Sequence, residues 1–449
     1  MRANVPAPRS STGPRHPSYA RRTLAAPPPD APRERLLSGQ AGRALLLLTG
    51  VNLLNYLDRF VVSALVESLR ADFWLTDASL GGLQPAFLVV YTIASPVFGV
   101  LGDRRRRPPL LAAGIAIWSF ATLFSGFARG YWGLFAARAA VGIGEAAYGT
   151  ISPGLLADHY GPRTRGRAYA LFFAAIPIGS ALGYVVGGLV DRTLGWRAAF
   201  WFAGAPGLVL AFLCLRLVDP PRGAAERAWA ISGDGGVSAT YRRLVANRTY
   251  VFTVLGYAAY TFAVGGMAFW MPAFLERTRG VPRGVATVQF GAIVVATGFL
   301  GTFAGGYLSD FLRRRFAQAD LWVCGISALL AAPCALVVFT TSRPVLYLGA
   351  MVVAQLLLFA STGPVNAAIV AEVPPSERAS AVALSIFSIH VLGDVISPPL
   401  IGFLSDRSSL GQAVLIVPVA VLLAGLVWSF AAWREERAAR AQRRASASA

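Results

Sequence analysis

Apolar runs of about 20 residues follow one another along most of the chain, separated by short stretches rich in Arg, Gly and Pro. A run of that length crosses the roughly 30 Å of a bilayer's hydrocarbon as an α-helix. A closed β-barrel needs alternating segments of about ten residues, whereas these runs are continuous. The pattern predicts an all-α polytopic membrane protein with twelve helices. They fall near 44–66, 78–101, 108–127, 132–156, 168–190 and 198–217, then near 250–275, 285–308, 321–340, 345–370, 379–404 and 411–433.

The polar stretches divide the chain further. Residues 1–43 read as a disordered tail rich in Pro, Ala and Arg, without the compact apolar core of a secretory signal. Residues 218–249 form the longest polar connection, with Pro220, Pro221, Gly223, Gly233, Gly235 and Gly236. It separates a six-helix unit at 44–217 from another at 250–433, and a basic tail occupies 434–449. The two units repeat each other. Gly99, Leu101, Gly102, Asp103 and Arg104 to Arg107 follow helix 2; Gly306, Leu308, Ser309, Asp310 and Arg313 to Arg315 follow helix 8. Pro162, Arg163, Thr164, Arg165 is echoed by Pro375, Ser376, Glu377, Arg378, and Gly188 to Arg192 by Gly402 to Arg407. Parallel six-helix halves with a site between them are a transporter architecture.

Composition agrees: 55% of residues are hydrophobic, 14% are charged, and mean hydropathy is +0.55. The net charge of +19 does not imply nucleic acid, because its distribution follows the membrane. All 41 basic residues are Arg; 30 lie in the tails and even-numbered connections, against 9 in the odd-numbered ones. Positive charge marks the cytoplasmic side, so both termini are expected there, in a multi-pass protein of the cell (inner) membrane. Aromatic residues sit in the membrane runs, leaving no basic stacking surface. Cys214, Cys324 and Cys334 lack metal-ligand spacing and read as small packing residues. No cofactor, no metal and no enzyme chemistry is expected, and a monomer is anticipated.

Charge inside the runs is sparse and therefore informative. Each ionised group at a membrane-helix centre costs roughly 2.5–3.5 kcal/mol on insertion scales. Helix 1 carries Asp58 and Arg59; helix 4 carries Arg138 and Glu145. Asn52, Asn55, Tyr56 and Arg59 follow i, i+3, i+4, i+7 and share a face, with Asp58 on its flank. Burial favours a neutral carboxyl and a nearby guanidinium favours a charged one, so a change of surroundings can move a proton. A fixed ion pair between helices 1 and 4 is the structural alternative. On helix 11, His390 and Asp394 stand at i, i+4, suited either to proton transfer or to a locked hydrogen bond.

The Gly, apolar, Asp, Arg-run signature at 99–107, repeated loosely at 306–315, resembles that of the major facilitator superfamily over 44–433. Asn55 to Arg59, Arg138 with Gly142 to Ala146, and His390 to Asp394 with Ser397 and Pro398 resemble its Spinster-like branch. The resemblance implies proton-linked movement of lysolipids or related sphingoid lipids. In helix 5, Gly179, Gly183, Gly187 and Gly188 are spaced for close contact and resemble the superfamily's antiporter signature. Tyr184 stands where that pattern has Pro.

The expected function is a proton-coupled transporter of a lipid-like amphiphilic anion working by alternating access within membrane lipids. Asp58 and Glu145 are the expected proton carriers; Asn52, Tyr56, Arg59, Arg138 and His390 the substrate contacts. Gly265, Gly266 and Pro272 mark a flexible place in helix 7, where Tyr257, Tyr260, Phe262 and Trp270 are expected to line a path for the tail. Asp103, Arg104 and Asp310 are expected to gate, Asp103 by capping helix 11 near 377–381. For Arg104 to Arg107, plain topogenic charge competes with gating. A proton/drug antiporter for hydrophobic cations is the alternative function.

Overall fold

The computed structural model of the chain describes residues 36–221, 237–282, 284–373 and 378–448. Most of the N-terminal tail, Gly223, Gly233, Gly235 and Gly236 of the central connection, and Pro375, Ser376 and Glu377 lie outside the described residues. Among the described residues all regular structure is helical.

Twelve long helices form the body. The first half holds helices 1 (Gly39–Ala64), 2 (Asp77–Arg104), 3 (Arg107–Ser125), 4 (Tyr131–His159), 5 (Pro162–Leu194) and 6 (Trp196–Cys214). The second holds helices 7 (Arg248–Arg279), 8 (Val285–Leu312), 9 (Ala319–Thr340), 10 (Pro344–Ala371), 11 (Ser380–Arg407) and 12 (Leu410–Ala438). Eleven are long and apolar enough to span a membrane; helix 4 falls short on composition, with Arg138, Glu145 and five glycines. It packs against helices 2 and 3, with Gly142 against Phe87 and Gly144 against Trp118, while Arg138 and Glu145 are paired to helix 1. A short helix, Val66–Phe73, continues helix 1, and another, Val237–Ala246, lies in the central connection. The helical path of helix 12 runs on to Ser448, through the stretch assigned above to a basic tail.

Local chemistry explains the boundaries. Prolines open helices 3, 5 and 10, where the first turn has no N–H partner to lose. Asn247 Oδ1 accepts from the Thr249 and Tyr250 amides and caps helix 7, which Gly280 ends in the left-handed region at φ 67°. Helix 11 carries a π-turn at His390–Asp394, four residues before Pro398 and Pro399. Neither proline can donate back to the preceding turn, so the helix re-registers there.

One apolar cluster has its buried residues in the first half, around Leu48, Phe87, Trp118, Tyr148 and Phe172, with Val395 of the second half packed against it. A larger one joins Val61, Leu65, Leu80 and Tyr184 of the first half to Trp270, Phe274, Phe290 and Ile401 of the second. The halves are thus fused from mid-membrane toward the end that bears the odd-numbered connections.

Candidate functional site

The ionisable residues of helices 1 and 4 pair crosswise. Arg138 Nη1 donates to Asp58 Oδ1 at 3.1 Å, and Arg59 Nε donates to Glu145 Oε2 at 2.7 Å. Successive residues of a helix point about 100° apart, so Asp58 and Arg59 reach different partners. Asp58 and Glu145 have no exposed surface, and Arg138 is buried too. The second oxygen of Asp58 accepts from Thr122 Oγ1 at 2.6 Å, whereas Glu145 Oε1 is buried without a partner. Asp58 is therefore fully satisfied and Glu145 is not. Thr122 escaped the sequence reading, although Ser119, Thr122 and Ser125 form a spaced polar line in an apolar helix. The Arg59 guanidinium lies 5.0, 4.9 and 5.1 Å from the rings of Tyr56, Phe87 and Tyr91. Such rings hold a cation by their quadrupole and shield it from lipid.

The other expected residues sort differently. Asn52 is buried and donates to the Phe172 carbonyl of helix 5 at 2.9 Å, joining helices rather than the charged group. His390 Nδ1 lies 2.9 and 3.1 Å from the Asp394 oxygens, inside the π-turn of the second half. Gly265 of helix 7 admits Asp394 so closely that a Cβ there would strike it. Two of the four helix 7 aromatics are taken by packing: Tyr260 donates to Leu358 and Trp270 to Pro398, both carbonyls, and both rings are buried. Among the described residues no three His, Cys, Asp or Glu gather as a metal site, and the three cysteines are free thiols.

The arginine run after helix 2 is not uniform. Asp103 and Arg104 are exposed, as is Asp310, which sits 3.5 Å from Arg313. Arg107 is buried instead, donating to Asp158 at 2.5 Å, Asp219 at 2.6 Å and the Pro220 carbonyl at 2.8 Å. It ties helices 3 and 4 to the connection after helix 6, so for this residue topogenic charge is not the whole account. The partner expected for Asp103 near 377–381 lies in part outside the described residues.

The bonds between the halves gather at the opposite end, where the sequence reading placed no gate. Arg277, closing helix 7, donates to Glu67 at 2.5 Å and to Asp77 at 2.6 Å. Ser405 Oγ also donates to Asp77, at 2.6 Å. Asp406 accepts from the Asp77 and Ala78 amides at 2.8 and 2.9 Å, capping helix 2 from the far half. Asp103 was expected to cap the far half in this way; Asp406 does so at the other end. Gly81 and Gly402 let these helices meet backbone to backbone. Deeper in, Tyr184 Oη donates to the Ala268 carbonyl of helix 7 at 2.5 Å, a bond Pro at this position would lack.

The profile of the Major Facilitator Superfamily matches residues 48–393. Spinster homolog 3 of Danio rerio is 36% identical over 419 residues, covering 85% of this chain and 83% of its own. A sphingosine-1-phosphate transporter of Xenopus tropicalis is 35% identical over 415 residues, covering 85% and 79%. This chain belongs to the major facilitator superfamily, in its spinster family. It is a multi-pass membrane transporter and not an enzyme. Human spinster homolog 1 is 37% identical over 397 residues, 83% of this chain and 74% of that one. Among solved structures, a bacterial homolog of the human lysosomal transporter Spinster, inward-facing and unoccupied, superposes with a TM-score of 0.81. It is 23% identical and covers 88% of this chain and 97% of its own, which establishes the shared fold.

Proposed function

We propose that this spinster-family transporter moves a lipid-like amphiphilic anion, a lysophospholipid or sphingoid lipid, by proton-coupled alternating access. The reading rests chiefly on the Arg59–Glu145 pair. A guanidinium that is partly exposed is held by a carboxylate that is fully buried and has one oxygen unpartnered. A proton arriving on that oxygen would release Arg59, whose planar fork suits a phosphate or carboxylate headgroup. Proton and lipid occupancy would then be linked through a single contact. Asp58, held by Arg138 and Thr122, would keep the frame in place and share in coupling. The Xenopus tropicalis relative is a sphingosine-1-phosphate transporter, and its substrate is of the same class.

If both termini are cytoplasmic, as the Arg distribution suggests, the Arg277 cluster would close the far side of the membrane, and the exposed Asp103 and Asp310 would lie on the cytoplasmic side. The test is ligand stabilisation of the purified protein. A lysophospholipid or a sphingoid phosphate should raise its melting temperature, and ethidium should do so far less. Stabilisation by ethidium without stabilisation by the anionic lipids would favour export of hydrophobic cations instead.

A further inference from the structure

We propose that the pocket between the start of helix 9 and the continuation of helix 12 holds the headgroup of an anionic phospholipid from the surrounding bilayer. Phe316, Trp322, Trp433, Glu436 and Arg437 line a pocket of about 150 Å³. The helix leaves its apolar stretch here: Ala431 and Ala432 are buried, Trp433 is about half exposed, and Arg434 to Arg437 begin the charged segment. Tryptophan at such a point sits at headgroup depth.

Three observations indicate what the pocket takes. Trp322 Nε1 is buried and has no acceptor within the protein. Arg437 is exposed, its guanidinium 5.4 Å from the Trp433 ring, and it has no carboxylate partner among the described residues. Glu436, the acid in the lining, is already engaged: its Oε1 accepts from the Ala317 amide at 2.6 Å and the Gln318 amide at 3.3 Å. Nearby cations divide the same way. Arg313 is bound to Asp320 and Arg434 to Glu435, whereas Arg314 and Arg315 are exposed on the turn entering Phe316. An indole N–H and a stacked guanidinium are both donors and the guanidinium carries a full charge, so an anionic acceptor suits the pocket. The aromatic walls add an apolar surface that a free ion leaves unused and an acyl chain covers. A phosphodiester headgroup with its chain along Phe316 and Trp433 meets both demands, and basic residues just outside a membrane helix attract such lipids.

The measurement is native mass spectrometry of the full-length purified protein in detergent. It is titrated with dioleoyl phosphatidylglycerol, dioleoyl phosphatidylcholine or glycerol phosphate. Phosphatidylglycerol should bind to the wild type, and roughly fivefold more weakly to Arg437→Ala, about 1 kcal/mol per interfacial arginine. Trp322→Phe, which keeps the ring and loses the donor, should weaken it similarly. Phosphatidylcholine binding should be weak and equal in all three, and glycerol phosphate alone should not bind. Arg59→Lys, in the central site, should leave this binding unchanged. Equal phosphatidylglycerol affinity in wild type and both pocket variants would overturn the proposal, as would equal affinity for the two lipids. Loss of binding in Arg59→Lys alone would place the lipid in the central site and overturn it too.

Discussion

Arg59 and Glu145 stand 86 positions apart in the chain and 2.7 Å apart in the fold, and their bond crosses the one between Arg138 and Asp58. Helices 1 and 4 are thus laced by two charge pairs in which neither arginine serves the acid nearest to it in sequence. This crossing separates an acid with both oxygens bound from an acid with one oxygen bare, a difference on which the proposed proton coupling turns.

The pairing predicts a specific pattern of coupling. Double-variant cycles on melting temperature should show strong interaction for Asp58→Asn with Arg138→Gln, and for Glu145→Gln with Arg59→Gln. Residues in direct contact couple by about 0.5–3 kcal/mol. The cycles Asp58 with Arg59 and Arg138 with Glu145 should be much closer to additive. Equal coupling in all four combinations would mean the cluster acts as one undivided charge group.

Gradient-driven transport in liposomes should collapse in both Asp58→Asn and Glu145→Gln, by about a hundredfold if a general proton-transfer step is lost. The two should differ in stability. Asp58→Asn disturbs two buried bonds and should lower the melting temperature, whereas Glu145→Gln, with one oxygen already unpartnered, should lower it less. Gradient-driven activity near wild type in both would refute their role as proton carriers.

Thr122→Val keeps the shape of the side chain and removes the hydroxyl that holds Asp58. An unsatisfied buried acceptor costs about 1–3 kcal/mol. The expected result is a lower melting temperature together with a displaced pH dependence of transport. Thr122→Ser should restore both, because it keeps the donor. A pH profile that does not move in the valine variant would reduce Thr122 to packing.

Opening the end closed in this structure should follow from Arg277→Ala, which removes the bonds to Glu67 and Asp77 together. The pair with Glu67 is partly exposed and worth up to about 1 kcal/mol, and the one with the buried Asp77 at least as much, so a shift of roughly tenfold or more toward the state open at that end is expected. Cysteine labelling at Ser405, introduced as Ser405→Cys, should accelerate in the Arg277→Ala background. Unchanged labelling would leave the cluster as ornament on an interface held by packing alone. Asp103→Asn addresses the other end. Asp103 is exposed here, so stability should hold while labelling on its own side rises if it closes that side in the alternate state.

Much was legible in the chain because a bilayer imposes severe rules. Only helices can satisfy the backbone across it, so run length alone predicted the helical spans. The cost of intramembrane charge singled out Asp58, Arg59, Arg138 and Glu145 before any fold was in view. Glycines at 179, 183 and 187 announced the close approach of helix 5, which the structure delivers against helix 1. Repeated loop signatures announced two halves.

What sequence left open was partnership, because pairing depends on rotation and depth between helices far apart in the chain. Nothing local says that Arg59 meets Glu145, that Thr122 completes Asp58, or that Arg107 is buried between Asp158 and Asp219. The Arg277 cluster was missed for a related reason. Charges at helix ends read as ordinary surface, and only the meeting of two halves converts Glu67, Asp77 and Asp406 into a joint. The π-turn at His390–Asp394 has both kinds of cause: Pro398 and Pro399, which cannot donate to the preceding turn, are local, whereas the close packing on Gly265 that accommodates the bulge is tertiary.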